Sequence, residues 1–164
     1  LYSQIGNEAK AKEYAKISLD VAEKAVKYNQ IMQEMQFYEI MGRYKGPYSS
    51  MAEMAAKLGD YTKAREKLTE LQMQATSLMN SLQENPSYAQ YVNMIKQNLF
   101  NLQYQLLQYQ LTEIEKKSGK EARDKFLKER IQQLQNSNNQ DSILLARQME
   151  FMLGSQSQED TTKK

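Results

Sequence analysis

The sequence predicts an all-α fold, an array of antiparallel helical hairpins, from three observations. The first is an internal echo. Ile5-Gly6-Asn7-Glu8-Ala9-Lys10-Ala11-Lys12-Glu13 recurs as Leu58-Gly59-Asp60-Tyr61-Thr62-Lys63-Ala64-Arg65-Glu66, with a weaker copy at Ser118-Gly119-Lys120-Glu121-Ala122-Arg123. Each copy follows an apolar helical stretch and precedes an amphipathic one, as stacked helical hairpins require. The second is a heptad seam, with Tyr61, Ala64, Leu68, Leu71, Ala75, Leu78 and Leu82 stepping alternately by 3 and 4 residues. The third is the scarcity of helix breakers. Only two Pro and six Gly occur in 164 residues, and they fall between the periodic stretches.

Leu1–Ile5 reads as the tail of a first helix, closed by Gly6, where a positive φ costs little. Asn7 is placed to cap the next helix, expected from Glu8 to about Met41. Its broad apolar face comprises Ala11, Tyr14, Ala15, Ile17, Val21, Ala22, Ala25, Tyr28, Met32 and Met35. Gly42-Arg43-Tyr44-Lys45-Gly46-Pro47 is the clearest loop in the chain. Pro47 suits the first turn of a short helix, where its missing donor goes unneeded. That helix ends near Leu58 and buries Tyr48, Met51, Ala52, Met54, Ala55 and Leu58. Asp60 caps the seam helix, which runs to about Gln83 and gives way to a turn at Glu84-Asn85-Pro86. A second seam follows at Tyr88, Val92, Ile95, Leu99, Leu102, Leu106 and Tyr109, in a helix reaching about Lys117. Gly119 ends it, and a further helix covers about Lys120 to Leu134. The polar run Gln135–Gln140 breaks the chain again. A last helix, capped by Asp141 or Ser142, then presents Ile143, Leu144, Met149, Met152 and Leu153. Residues 1–153 are thus expected to form a single helical-repeat domain. Gly154–Lys164 has nothing to bury and reads as a disordered tail.

Met51-Ala52, Ala55, Leu58-Gly59-Asp60-Tyr61, Ala64, Leu68 and Leu71 together resemble a tetratricopeptide repeat. Small residues precede a Gly-Asp-Tyr turn, and Ala with large apolar positions follows it. The resemblance implies hairpins stacked as a short right-handed array that serves protein–protein interaction or scaffolding. The sequence departs from the pattern in lacking Trp at the head of the first helix and Pro closing the second. The glycines of the echo also lie 53 and 60 residues apart, against roughly 34 for that repeat, so the helices are overlong. The order Gly-x-x-x-Lys-Ala, long helix, Gln- and Met-rich helix, repeat also resembles the soluble C-terminal region of a Bacteroidetes membrane-protein family. Those proteins are multi-spanning, with a mannosyltransferase-like membrane half and a tetratricopeptide-like tail. That resemblance covers about residues 1–117. It implies an extracytoplasmic, periplasmic tail that contains none of the catalytic residues.

Composition narrows the function classes. Hydrophobic residues make up 40% and charged residues 26%, a globular balance. Net charge is +2 with both signs interspersed, which offers no electrostatic case for nucleic acid or anionic lipid. No apolar run approaches a membrane span, and no signal-peptide pattern is present. A membrane connection is expected only through a segment upstream of Leu1, since the chain opens in what reads as the end of a helix. There is no Cys and no His, so disulfides, thiol nucleophiles and Cys- or His-based zinc sites are excluded. The commonest acid–base side chain is also missing. The expectation is a non-enzymatic domain without cofactor or metal, and with a protein partner.

One candidate binding site stands out. Tyr38, Arg43, Tyr44, Lys45 and Tyr48 surround the Gly-rich loop. Arg suits planar anions and Tyr suits stacking, so the group reads as a grip for a glycan or peptide. It also reads, and more simply, as a solvated turn whose tyrosines pack on the hairpin ends. The loop lacks the Gly-Lys-Ser/Thr ending of a phosphate loop. The methionines at 32, 35, 41, 51, 54, 73 and 79 read as core filling or as an adaptable groove. Gln103–Gln110 interleaves amides and aromatics without a cation and reads as a heptad helix rather than a nucleic-acid surface. Glu113, Glu115, Glu121 and Asp124 read as a solvated acidic face.

Overall fold

A computed structural model describes residues 8–28, 30–137 and 139–157. It is all-α, with no strand among these residues. The helices are α1 (Glu8–Tyr28), α2 (Gln30–Ile40), α3 (Pro47–Lys57), α4 (Tyr61–Leu82), α5 (Ala89–Gln135) and α6 (Gln140–Ser157). A single 3₁₀ turn, Pro86–Tyr88, leads into α5. The Leu1–Ile5 helix end, the Gly6 stop, the Asn7 cap and residues 158–164 of the expected tail lie outside the described residues. So do the side chains of Tyr28, Met32 and Met152.

The expected helix from Glu8 to about Met41 is helical over Glu8–Tyr28 and Gln30–Ile40, and position 29 lies outside the described residues. The chain also divides into two compact units, Leu1–Tyr109 and Gln110–Lys164. Periodicity marks which faces are apolar and leaves open which faces meet. The last helix runs to Ser157, past the Gly154 at which the tail reading begins.

In the first unit α3 packs against both α1 and α4, and α2 contacts all three. One core joins them. Leu19 comes from α1, Met51, Ala52 and Ala55 from α3, and Ala64, Leu68, Leu71 and Ala75 from α4; Ile95 and Leu102 come from α5. The four alanines are fully buried, which lets helix backbones approach closely and leaves Leu68 and Leu71 to fill the space between. The α3 face and the α4 seam therefore lie where periodicity puts them. The second seam does too, except that Tyr88 at its head is 42% exposed.

The α3–α4 connection shows how the echoed Gly works. Gly59 N donates to Ala56 O at 2.9 Å, and Asp60 N donates to Ala55 O at 2.9 Å. That pair of bonds is a Schellman closure, which needs a left-handed residue at its centre. Gly59 has φ +84°. Asp60 then caps α4, accepting from Lys63 N at 2.8 Å. Two residues thus stop one helix and start the next.

Two helices bury only part of the face expected. On α1 the buried residue is Leu19, with Ala11, Ala15, Ala22 and Ala25 half-buried. Tyr14, Ile17 and Val21 are 50–59% exposed. The small side chains bring α1 close to α3, and the larger apolar ones point outward. On α6 the buried side is Leu145, Ala146 and Met149, while Ile143 and Leu144 are exposed. Its cap is Asn139, whose Oδ1 accepts from Asp141 N at 2.9 Å, two residues ahead of the expected Asp141.

In the second unit α5 breaks at Gly119, whose φ is +84° and ψ 173°. Arg123, 8% exposed, follows the break. Its Nη1 donates to Glu115 Oε2 at 2.8 Å and its Nη2 to Asp124 Oδ1 at 2.6 Å. Burial disfavours its charge, but the two carboxylates outweigh that and hold its pKa above the ordinary arginine value. The acidic face of the sequence reading is therefore partly an arginine clamp across the bend. Gln135 Nε2 donates to Glu150 Oε1 at 2.6 Å, tying α6 to the end of α5.

Candidate functional site

The Gly42–Pro47 loop is held from inside by Glu39. Gly42 closes α2 as Gly59 closes α3: Gly42 N donates to Glu39 O at 2.9 Å and Arg43 N to Tyr38 O at 3.0 Å. The Glu39 side chain is 2% exposed. Its carboxylate accepts from Tyr48 N at 3.0 Å and from Ser49 N at 2.6 Å, the free donors of the first turn of α3. A carboxylate at a helix N-terminus also meets the positive end of the helix dipole. Glu39 thus does from a distance what a capping residue does locally. The residue at the cap position, Gly46, has no side chain to offer. It must remain Gly, because an added Cβ would stand 2.6 Å from both Cβ and Oε2 of Glu39. Asn98 of α5 completes the frame by donating to Glu39 O at 2.8 Å and Ile40 O at 3.0 Å.

This frame sorts the five candidate residues. Tyr48 points into the core. It is 8% exposed, belongs to the core, and its hydroxyl accepts from Gln74 Nε2 at 3.0 Å. Gln74 in turn accepts from Gln36. Tyr44 is 71% exposed and its ring meets Tyr38 edge-on at 6.1 Å. Lys45 pairs with Glu53, which also holds Lys57 at 2.9 Å. The Arg43 guanidinium has no ion pair among the described residues.

Arg43 lies between two clefts. The larger, an open space of about 650 Å³, has Tyr44 and Lys45 on the loop side and Asn101, Tyr104, Gln105 and Gln108 on the α5 side. Tyr109 also lines it. Burial first, and then neighbouring Tyr61, pushes the Tyr109 hydroxyl above the ordinary tyrosine range. The smaller cleft, about 440 Å³, is lined by Phe37, Tyr38, Met41, Arg43, Leu78, Leu82, Tyr88 and Tyr91. Tyr38 of α2 lines this second cleft, whereas Tyr44 of the loop lines the first.

Sequence reading missed the α5 side of the larger cleft. Asn101, Tyr104, Gln105 and Gln108 fall at i, i+3, i+4 and i+7, one polar stripe on a helix whose opposite stripe is the seam. The spacing was readable, but nothing local marks that stripe as facing the Arg43 loop. Among the methionines, Met41 and Met51 fill the core, while Met35 and Met73 are 43% and 68% exposed.

No cluster of carboxylates suited to a metal ion occurs among the described residues. No helix among them is long and apolar enough to cross a membrane. No family model matches the chain, and no curated protein or solved structure is significantly similar to it.

Proposed function

We propose that this chain is a non-catalytic protein–protein interaction or scaffolding domain, its hairpins stacked in tetratricopeptide-like fashion. The observation that carries the reading is the outward face of α1. Tyr14, Ile17 and Val21, at i, i+3 and i+7, are each at least half exposed. Three large apolar side chains in one helical stripe are more than scattered surface residues and mark a docking face. The architecture supports it as well, since α3 packs against both α1 and α4, with the Gly59 turn joining α3 to α4. The test is proximity labelling in the host cell with wild type and with a Tyr14→Ser, Ile17→Thr, Val21→Thr variant. The variant is expected to stay helical and to lose a specific set of labelled partners. Identical partner sets, or turnover of a hydrolase or transferase substrate by the purified chain, would overturn the reading. The Bacteroidetes resemblance extends it to location, as an extracytoplasmic tail. Transmembrane segments encoded upstream of Leu1 are the outcome it expects, and a gene without them ends it.

A second reading, a ligand-binding module for a glycan or peptide, is favoured by the larger cleft. There Arg43 and Tyr44 face an amide stripe across about 650 Å³, within the size range of ligand sites. Amides and tyrosines match the hydroxyl groups of a sugar, and a guanidinium matches a sugar acid. Glycan binding that survives Arg43→Ala with Tyr44→Ala unchanged ends this reading.

A further inference from the structure

We propose that the smaller cleft beside Arg43 receives an aromatic side chain of a partner protein that carries a carboxylate next to that side chain. The inference rests on the interaction reading above and names both a surface and the chemistry of its occupant. The cleft has two aromatic walls. Phe37 and Tyr38 form one, their rings edge-on at 5.9 Å. Tyr88 and Tyr91 form the other, tilted at 6.3 Å. All four are 39–45% exposed, so each keeps a ring surface for a guest. Met41, 3% exposed, belongs to the buried part of the lining. Such walls suit a planar apolar group, which gains both desolvation and edge-to-face contact. Tyrosine with arginine is also the composition that concentrates binding energy at protein interfaces.

Charge selects the guest. An aromatic box by itself would also take an organic cation. Arg43 lines this cleft, no carboxylate does, and the guanidinium has no ion pair among the described residues. A cationic guest would therefore meet an unscreened positive charge, whereas a carboxylate would complete it with a bidentate bond. Neighbouring Lys45 is already paired with Glu53 and does not compete. One arginine is too little positive charge to hold a nucleic-acid backbone against salt. The loop is also held in place beforehand. Glu39 and Asn98 fix both of its ends, so little ordering entropy opposes binding.

The test is an NMR titration of the full ¹⁵N-labelled chain with four probes: N-acetyl-Trp-Glu-amide, N-acetyl-Trp-Lys-amide, N-acetyl-Ala-Glu-amide and tetramethylammonium. The Trp-Glu probe is expected to shift the amides around Tyr38, Arg43, Tyr88 and Tyr91, with the other three at least several-fold weaker. Arg43→Gln should weaken Trp-Glu binding about tenfold and remove its preference over Trp-Lys. Tyr91→Ala, at an exposed wall position, should weaken both tryptophan probes alike. Equal binding of Trp-Lys or of tetramethylammonium, indifference to Arg43→Gln, or no shift at the cleft would each overturn the proposal. Shifts confined to Tyr14–Val21 would overturn the cleft assignment while leaving the interaction reading standing, and the labelling result at that face decides the latter independently.

Discussion

Glycines at two kinds of position are indispensable for different reasons, and their substitutions separate the two. Gly59 and Gly119 both sit at φ +84°, and an added Cβ at either would touch nothing within 4 Å. Their alanine variants should therefore suffer backbone strain alone, about 1–2 kcal/mol each. Asparagine, which tolerates the left-handed region, should recover part of it. Gly46 has ordinary extended φ of −99°. Its alanine variant instead collides with the Glu39 side chain and displaces the carboxylate that caps α3. Gly46→Ala is thus expected to cost about 1–3 kcal/mol, with Asn no better than Ala, as chemical denaturation would measure. Gly59 and Gly119 are legible as turn residues from sequence. Gly46 was legible as a loop residue, but its partner Glu39, seven positions upstream, was not, because the contact forms only when α3 folds back on the end of α2.

At the level of elements, α1 is tied to α4 by Glu23, whose Oε1 lies 2.9 Å from Lys63 Nζ and 3.5 Å from Lys67 Nζ. The hydrogen bond from Lys63 is the main cause that lowers the Glu23 pKa below 4.5, against the opposing effect of burial. A carboxyl with a depressed folded pKa adds stability that is present above its unfolded value and is lost as pH falls through the folded one. Wild type should accordingly lose stability on acidification below about pH 4.5, and Glu23→Gln should show a shallower loss over the same window. The pair is part-exposed, so the difference at neutral pH is expected to be only about 0.2–1 kcal/mol. Denaturation midpoints measured from pH 6 to 3 check both slope and sign, and equal slopes refute the assignment. Both residues are visible in the sequence as members of charged faces. Their pairing joins two helices that both pack on α3, which periodicity does not specify.

Among the described residues, burial is concentrated in α3 and α4, where Ala52, Ala55, Ala64, Leu68 and Ala75 are completely inaccessible. Local opening costs most where buried contacts are densest. Native-state hydrogen exchange is expected to be slowest at the amides of Met51–Ala55 and Ala64–Ala75. It should be faster on α1, whose outer apolar stripe is uncovered. Uniform protection along the first unit would contradict this gradient. The division into units Leu1–Tyr109 and Gln110–Lys164 belongs to the same scale. No change of composition announces it, since it falls inside the helical pattern of α5 rather than at a Pro- or Gly-rich linker.

Helix identity, most helix ends and the buried faces of α3 and α4 are properties of local sequence. They follow from spacing, capping residues and the few positions that only glycine occupies without strain, all of which act over one or two turns. The faces of α1 and α6, the remote cap supplied by Glu39, the Arg123 clamp and the two clefts sharing Arg43 arise differently. Each joins residues distant in sequence or chooses between apolar stripes that are equally helical. That choice is made by close packing. Small side chains let α1 approach α3, and the larger Tyr14, Ile17 and Val21 stay at least half exposed.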